Sequence, residues 1–217
     1  MSDYVLVIGN KTYSSWSLRP WLALRVAGIP FREEVIPLDQ DDTRARILSH
    51  SGAGMVPVLR HGALTVWDSL AILEYVAERH PDAGLWPDSE ASRAVARSVA
   101  AEMHAGFAAL RRDLPMNTRR DRPPLDIAPQ VQADIDRITT LWRDCRANHR
   151  AGGPFLFGRF TIADAMFAPV ASRFRSYGVA LDEVCAGYVE AVHVLPAMVE
   201  WCADAAREDW VLDRSEI

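Results

Sequence analysis

The order of apolar and polar positions changes character once along the chain. Tyr4-Val5-Leu6-Val7-Ile8 is a short, β-branched-rich run, the pattern of a strand covered on both faces. Trp21, Leu22, Leu24 and Val26 follow at helical spacing, and Gly28 supplies the stop. Phe31 to Leu38 reads as a second strand. Val56-Pro57-Val58-Leu59 and Leu64-Thr65-Val66-Trp67 are two more around His61-Gly62, a hairpin signal. Leu70, Leu73, Val76 and Ala77 mark an amphipathic helix that ends before Pro81. With a short helix ahead of the hairpin, a right-handed βαβ crossover joins a ββα unit in one mixed, four-stranded α/β sheet.

Pro81 to Asp88, with two prolines and Gly84, reads as a linker (81–88). Beyond it the strand signal almost vanishes. Residues 89–114, 126–148, 161–176 and 196–207 are rich in alanine and arginine at helical periodicity. Strands first and helices afterwards predict an α/β domain over 1–80 and an all-α helical bundle over 89–217. The length of 217 residues suits one large domain or two small ones.

Composition narrows the function classes. The longest apolar run, Ala165 to Ala171, is far short of the roughly 20 residues that a spanning helix needs. MSDYVLVIGN lacks a basic region before an apolar core, so no signal peptide is expected. Lys and Arg total 24 against 29 Asp and Glu, a net charge of −5. That argues against a phosphate-binding surface, and neither nucleic acid nor membrane is an expected partner. Lys11 is the only lysine; the excess of arginine reads as compositional bias, with carboxylate or phosphate recognition as the alternative. Cys145, Cys185 and Cys202 form no CxxC and are odd in number, which disfavours a disulfide scaffold and suits a reducing cytoplasm. None of the six histidines sits in a triad or metal pattern, so no metal is expected.

Three segments carry candidate chemistry. In Tyr13-Ser14-Ser15-Trp16-Ser17-Leu18-Arg19-Pro20, proline belongs in a first helical turn, which places the N-cap near Ser17. Ser14 and Ser15 then precede a helix N-terminus, where caps are common and where an anion such as a thiolate is stabilised. In Ser51-Gly52-Ala53-Gly54-Met55-Val56-Pro57-Val58 no Gly-Lys-Ser/Thr follows the glycines, which excludes a phosphate loop. A proline opening a strand marks an edge or bend where backbone groups can meet a peptide-like ligand. Asp68-Ser69 is N-cap chemistry, and is equally suited to hold the ammonium and carboxylate of an amino-acid head group.

Together these segments resemble the glutathione S-transferase family, and the likeness covers essentially the whole chain. It implies a thioredoxin-like glutathione domain followed by a helical domain, with glutathione as cosubstrate, a small electrophile as the second substrate, and a homodimer. Ser14, Ser15, Ser17 and Arg19 most resemble the serine-type, zeta-like members. The resemblance then makes Ser14 the catalytic serine and Ser15 a neighbour of the thiol. Val56, beside a cis Pro57, would bind the cysteinyl backbone, Asp68 and Ser69 the γ-glutamyl end, and His50 the glycyl end. Thr161 and Asp164 resemble the family's capping box, a folding element. Trp16 stands where zeta isomerases usually carry cysteine, Pro20-Trp21 replaces their Val-Arg, and Met55 and Asp68 replace more usual polar residues. These departures bear on isomerase activity and leave a binding module without turnover as the rival reading.

Met103, His104, Phe107 and Arg111 fall at i, i+1, i+4 and i+8, one helical face able to line an electrophile site, with Met116 just beyond. Core packing is the competing reading for Phe107. Arg111, Arg112, Arg119, Arg120 and Arg122 form a basic cluster, read either as a solvated loop or as a site for an anionic electrophile. A dithiol oxidoreductase is excluded, because no cysteine precedes Cys145.

Overall fold

The first half of the chain runs β1 (Tyr4–Ile8), α1 (Ser15–Val26), β2 (Arg32–Val35), α2 (Thr43–Leu48), β3 (Val58–His61), β4 (Leu64–Trp67) and α3 (Ser69–Arg79). The computed structural model describes residues 3–120, 126–149 and 152–216. The sheet order is β2-β1-β3-β4; β1 is parallel to β2 across the α1 crossover, and β3 is antiparallel to both β1 and β4. β2 is shorter than the apolar pattern suggests. Pro37 has no N–H to continue the ladder, although Ile36 N–H still donates to Ile8 O at 2.8 Å. β3 likewise begins after Pro57, and the Val56–Pro57 bond is cis.

The second half is helical: α4 (Glu90–Ala105), α5 (Ala108–Asp113), α6 (Pro129–Asn148), α7 (Ile162–Ser176), α8 (Glu183–His193) and α9 (Pro196–Ala205). A single 3-10 turn, Pro81–Ala83, stands in the expected linker. The pattern missed α8, although Cys185, Tyr188, Val189 and Val192 are buried at helical spacing and Asp182 caps Cys185 N–H at 2.9 Å. The helix expected over 89–114 is two. Gly106 interrupts it, since a Cβ there would stand 2.8 Å from Glu102 O, and Phe107 adopts φ 60°.

One apolar core runs through both halves. Leu18, Trp21 and Leu22 of α1 join Met166, Phe167 and Val170 of α7, and a smaller cluster of Val7, Ile36, Ile47 and Val58 lies apart from it. Because α7 is enclosed from Ile162 to Phe174, its apolar run is a core helix. Its start is fixed by Asp164: Oδ2 accepts Thr161 N–H at 2.8 Å and Thr161 O–H at 2.9 Å, and Oδ1 accepts Leu156 N–H at 3.0 Å. A second tie crosses the halves at Lys11. Its buried Nζ lies 2.9 Å from Glu33 of β2 and 2.5 Å from Asp204 of α9, beside the rings of Trp21 and Trp201. Among the described residues no helix is long and apolar enough to cross a membrane.

Candidate active site

The turn from β1 into α1 is built by close approach. A Cβ on Gly9 would lie 2.8 Å from the Leu38 side chain, so glycine lets the chain leave the sheet there. Asn10 then organises the turn: its carbonyl accepts Ser14 N–H at 2.8 Å and its Oδ1 accepts Leu38 N–H at 2.8 Å. The helix starts earlier than Pro20 implied. Ser14 is the N-cap, Ser15 the first helical residue, and Leu18 N–H already donates to Ser14 O at 3.1 Å. Pro20 therefore lies inside α1, where a proline costs about 3 kcal/mol. Burial of nearly every α1 side chain from Ser15 to Leu24 offsets that cost. Ser17 is consequently no cap; its Oγ accepts Gly9 N–H at 3.1 Å and Ser14 O–H at 2.8 Å.

Ser14 and Ser15 open onto a cavity of about 760 Å³ between the sheet and the helical half. Val56, Pro57, Asp68 and Ser69 line the same cavity, so three segments far apart in sequence meet there. The Val56 N–H and C=O make no hydrogen bond among the described residues, which leaves them available to a ligand backbone. Ser69 Oγ is buried and also lacks a partner among them. Asp68 holds φ 69°, ψ 139°, a conformation costing about 1–3 kcal/mol for a non-glycine residue. It caps α3 through Leu70 N–H at 2.9 Å, and its Oδ2 lies 3.3 Å from His104 Nε2.

The helical wall differs from the expected face. Arg111 and Met116 line the cavity. Met103 and Phe107 are buried in the core, because the break at Gly106 places Arg111 on a different helix from Met103. His104 reaches the site only through Asp68 and the edge of Trp16, 5.3 Å between ring centroids. His50 does not line the cavity; its Nε2 pairs with Glu34 at 3.0 Å. The basic cluster disperses as well. Arg112 pairs with Asp113, Arg119 donates to Tyr13 Oη and to the carbonyls of Glu208 and Trp210, and Arg120 stacks on Tyr177. Arg122 lies outside the described residues.

Sequence reasoning did not find Tyr13, Arg173, Leu212 and Arg214, which also line the cavity, or the lining role of Trp16. Arg173 had one signal, a charge within the apolar α7 pattern. Its Nε and Nη1 donate to Leu114 O at 2.8 Å and Pro169 O at 3.2 Å, and burial lowers its pKa to about 10. Arg111 donates to the carbonyls of His104 and Gly106, and its pKa too is lowered by burial. Arg19 lies fully buried, its guanidinium 4.1 Å from the Trp16 ring centroid, with no hydrogen-bond partner for any of its three nitrogens among the described residues. Burial, then the neighbouring Arg173 and Arg111 charges, lower its pKa to about 9. Arg19 and Arg111 thus both lie over the Trp16 ring, and among the described residues Asp68 is the one carboxylate lining the cavity.

Comparison with known proteins places the chain. The family model for the glutathione S-transferase N-terminal domain matches residues 13–79, and that for the C-terminal domain matches residues 90–204. A probable maleylacetoacetate isomerase of Caenorhabditis elegans is 28% identical over 49% of this chain and 50% of its own length. Dichloromethane dehalogenase of Methylorubrum extorquens is 40% identical over 27% of this chain and 21% of its own length. The matched stretches therefore span half or less of these two relatives. A zeta-class maleyl pyruvate isomerase structure superposes with TM-score 0.73 at 21% identity, covering 95% of this chain and 100% of that one. A glutathione transferase homolog from Burkholderia with bound glutathione gives 0.69 at 22%, covering 94% and 97%. With both family models in chain order over this sheet and helical half, the chain belongs to the glutathione S-transferase family.

Proposed function

We propose that this protein is a serine-type, zeta-like transferase that activates the glutathione thiolate for addition to a small electrophile, or for isomerisation through such an adduct. The supporting observation is the convergence on one cavity of Ser14, the Val56 backbone and the Ser69 hydroxyl, the last two without a hydrogen bond among the described residues. In this reading residues 1–80 hold glutathione and residues 89–217 supply the electrophile wall. Val56 N–H and C=O pair with the cysteinyl residue, Ser69 Oγ donates to the γ-glutamyl carboxylate, and Asp68 receives its ammonium. The protein works as a cytoplasmic homodimer, in keeping with a detoxifying role, and needs no metal.

Ser14 acts as a donor. A thiol of pKa about 8.5 must drop by about two units, or about 2.7 kcal/mol, to be mostly ionised at neutral pH. A hydroxyl donating to a charged sulfur contributes about 1.5–3 kcal/mol, and the N-terminus of α1 about 0.3–1. That sum requires no base, and the thiol proton leaves to solvent. The electrophile itself is anionic in this reading, because Arg111 and Arg173 line its half of the cavity without a carboxylate partner in the described residues. Raising ionic strength should weaken its binding; an affinity indifferent to salt would exclude an anion.

Titrating glutathione into wild-type protein and Ser14→Ala, following the ultraviolet thiolate band against pH, tests the central claim. A bound thiol ionising well below its solution pKa, with the shift lost in the variant, is expected. A shift that survives moves the role to Ser15 or the helix terminus. Absence of glutathione binding leaves the fold as a binding module for another ligand.

A further inference from the structure

Ser17 has no part in capping α1, yet its hydroxyl is enclosed and engaged on both sides. Its residue is 0% exposed. Its Oγ accepts the Gly9 N–H, a donor fixed at the end of β1, and meets Ser14 Oγ at 2.8 Å. At 2.8 Å either hydroxyl can donate to the other, and a Ser14 that donates to Ser17 has no proton left for the cavity. A thiolate in the cavity can receive that proton's hydrogen bond only if Ser14 turns away from Ser17. Ser14 Oγ would then be left bare on its buried side, unless Ser17 turns its own O–H toward it.

We infer that Ser17 is a positioning residue for thiolate activation: with the sulfur in place, the Ser14–Ser17 hydrogen bond runs from Ser17 to Ser14. The chain Gly9 N–H to Ser17 O–H to Ser14 O–H to sulfur then has every donor pointing at the developing charge. Each bond polarises the next, so a neutral hydroxyl becomes a stronger donor than it is alone. Only hydroxyl rotations are involved; no bond to hydrogen breaks within the relay, and the thiol proton still leaves to solvent. The 2.8 Å separation serves either direction, so the backbone need not move. Gly9 completes the arrangement, because its N–H follows directly on β1 and donates to Ser17 Oγ at 3.1 Å. The inference rests on the reading of Ser14 as the sulfur's donor.

The experiment is a double-mutant cycle on the pKa of bound glutathione, using Ser14→Ala, Ser17→Ala and the double variant. The same proteins are titrated with S-methylglutathione, which has no ionisable thiol. Ser17→Ala is expected to raise the bound thiol pKa by about half to one unit, the worth of one neutral hydrogen bond, and to leave S-methylglutathione affinity unchanged. Within the Ser14→Ala background the same change should have no further effect, because the relay ends at Ser14. An equal shift in that background, or no shift in wild type, overturns the relay. Loss of S-methylglutathione binding in Ser17→Ala also overturns it, since Ser17 would then merely shape the turn. A wild-type protein that binds no glutathione is a different failure, that of the proposed function itself.

Discussion

Ser69→Ala should move stability and ligand affinity in opposite directions. The residue is 1% exposed and its Oγ has no partner among the described residues. A buried hydroxyl without a hydrogen bond costs about 1–3 kcal/mol, so the unliganded protein should gain about 1 kcal/mol when it is removed. Glutathione should suffer the reverse. A hydroxyl donating to a carboxylate is worth about 1.5–3 kcal/mol, a loss of about 10- to 100-fold in affinity. Urea unfolding without ligand reads the first effect, and calorimetric titration with glutathione the second. A variant that is less stable yet binds glutathione as wild type does would refute the reasoning, since the hydroxyl would then be serving the fold.

Lys11→Met removes the cation between Glu33 and Asp204, which keep Trp21 Nε1 and Arg207 as partners, and should cost about 1.5–3 kcal/mol by urea denaturation. Asp164→Ala leaves Leu156 N–H and Thr161 N–H without an acceptor and should cost about 4 kcal/mol; a loss under about 1 kcal/mol would show that other acceptors serve them. Burial raises the thiol pKa of Cys145 to about 12 and of Cys185 to about 11, against 9.0 for a free thiol. The folded state therefore holds these protons more tightly, and stability is lost as pH rises from 9 towards those values. At pH 10 the loss is about 1.4 kcal/mol per thiol, and it should diminish in Cys145→Val.

What the sequence disclosed was mostly local. Tyr4–Ile8 and the hairpin around His61-Gly62 follow from a short β-branched apolar run and from turn chemistry, and the sheet has the predicted connections. Ser14, Val56 and Asp68, which line the cavity, were legible as candidates because each sits at a turn whose own residues demand attention. Pro20 misled, since its cost inside a helix is offset by burial that only the tertiary structure supplies. The spacing from Met103 to Arg111 misled for another reason: helical periodicity holds only along unbroken helix, and Phe107 at φ 60° breaks it. Arg173, Leu212 and Arg214 reach the cavity from segments remote in sequence, and no local pattern records that meeting.

The ion-paired Lys11 has a consequence for how this protein responds to amine chemistry. It is the chain's only lysine, and it is 4% exposed between two tryptophans. Acylating reagents find no other side-chain amine, and this one becomes reactive only when α9 parts from the turn after β1. The rate of its labelling, read by mass spectrometry, therefore counts a single opening event. The molecule carries its own one-residue gauge of how often its two halves separate.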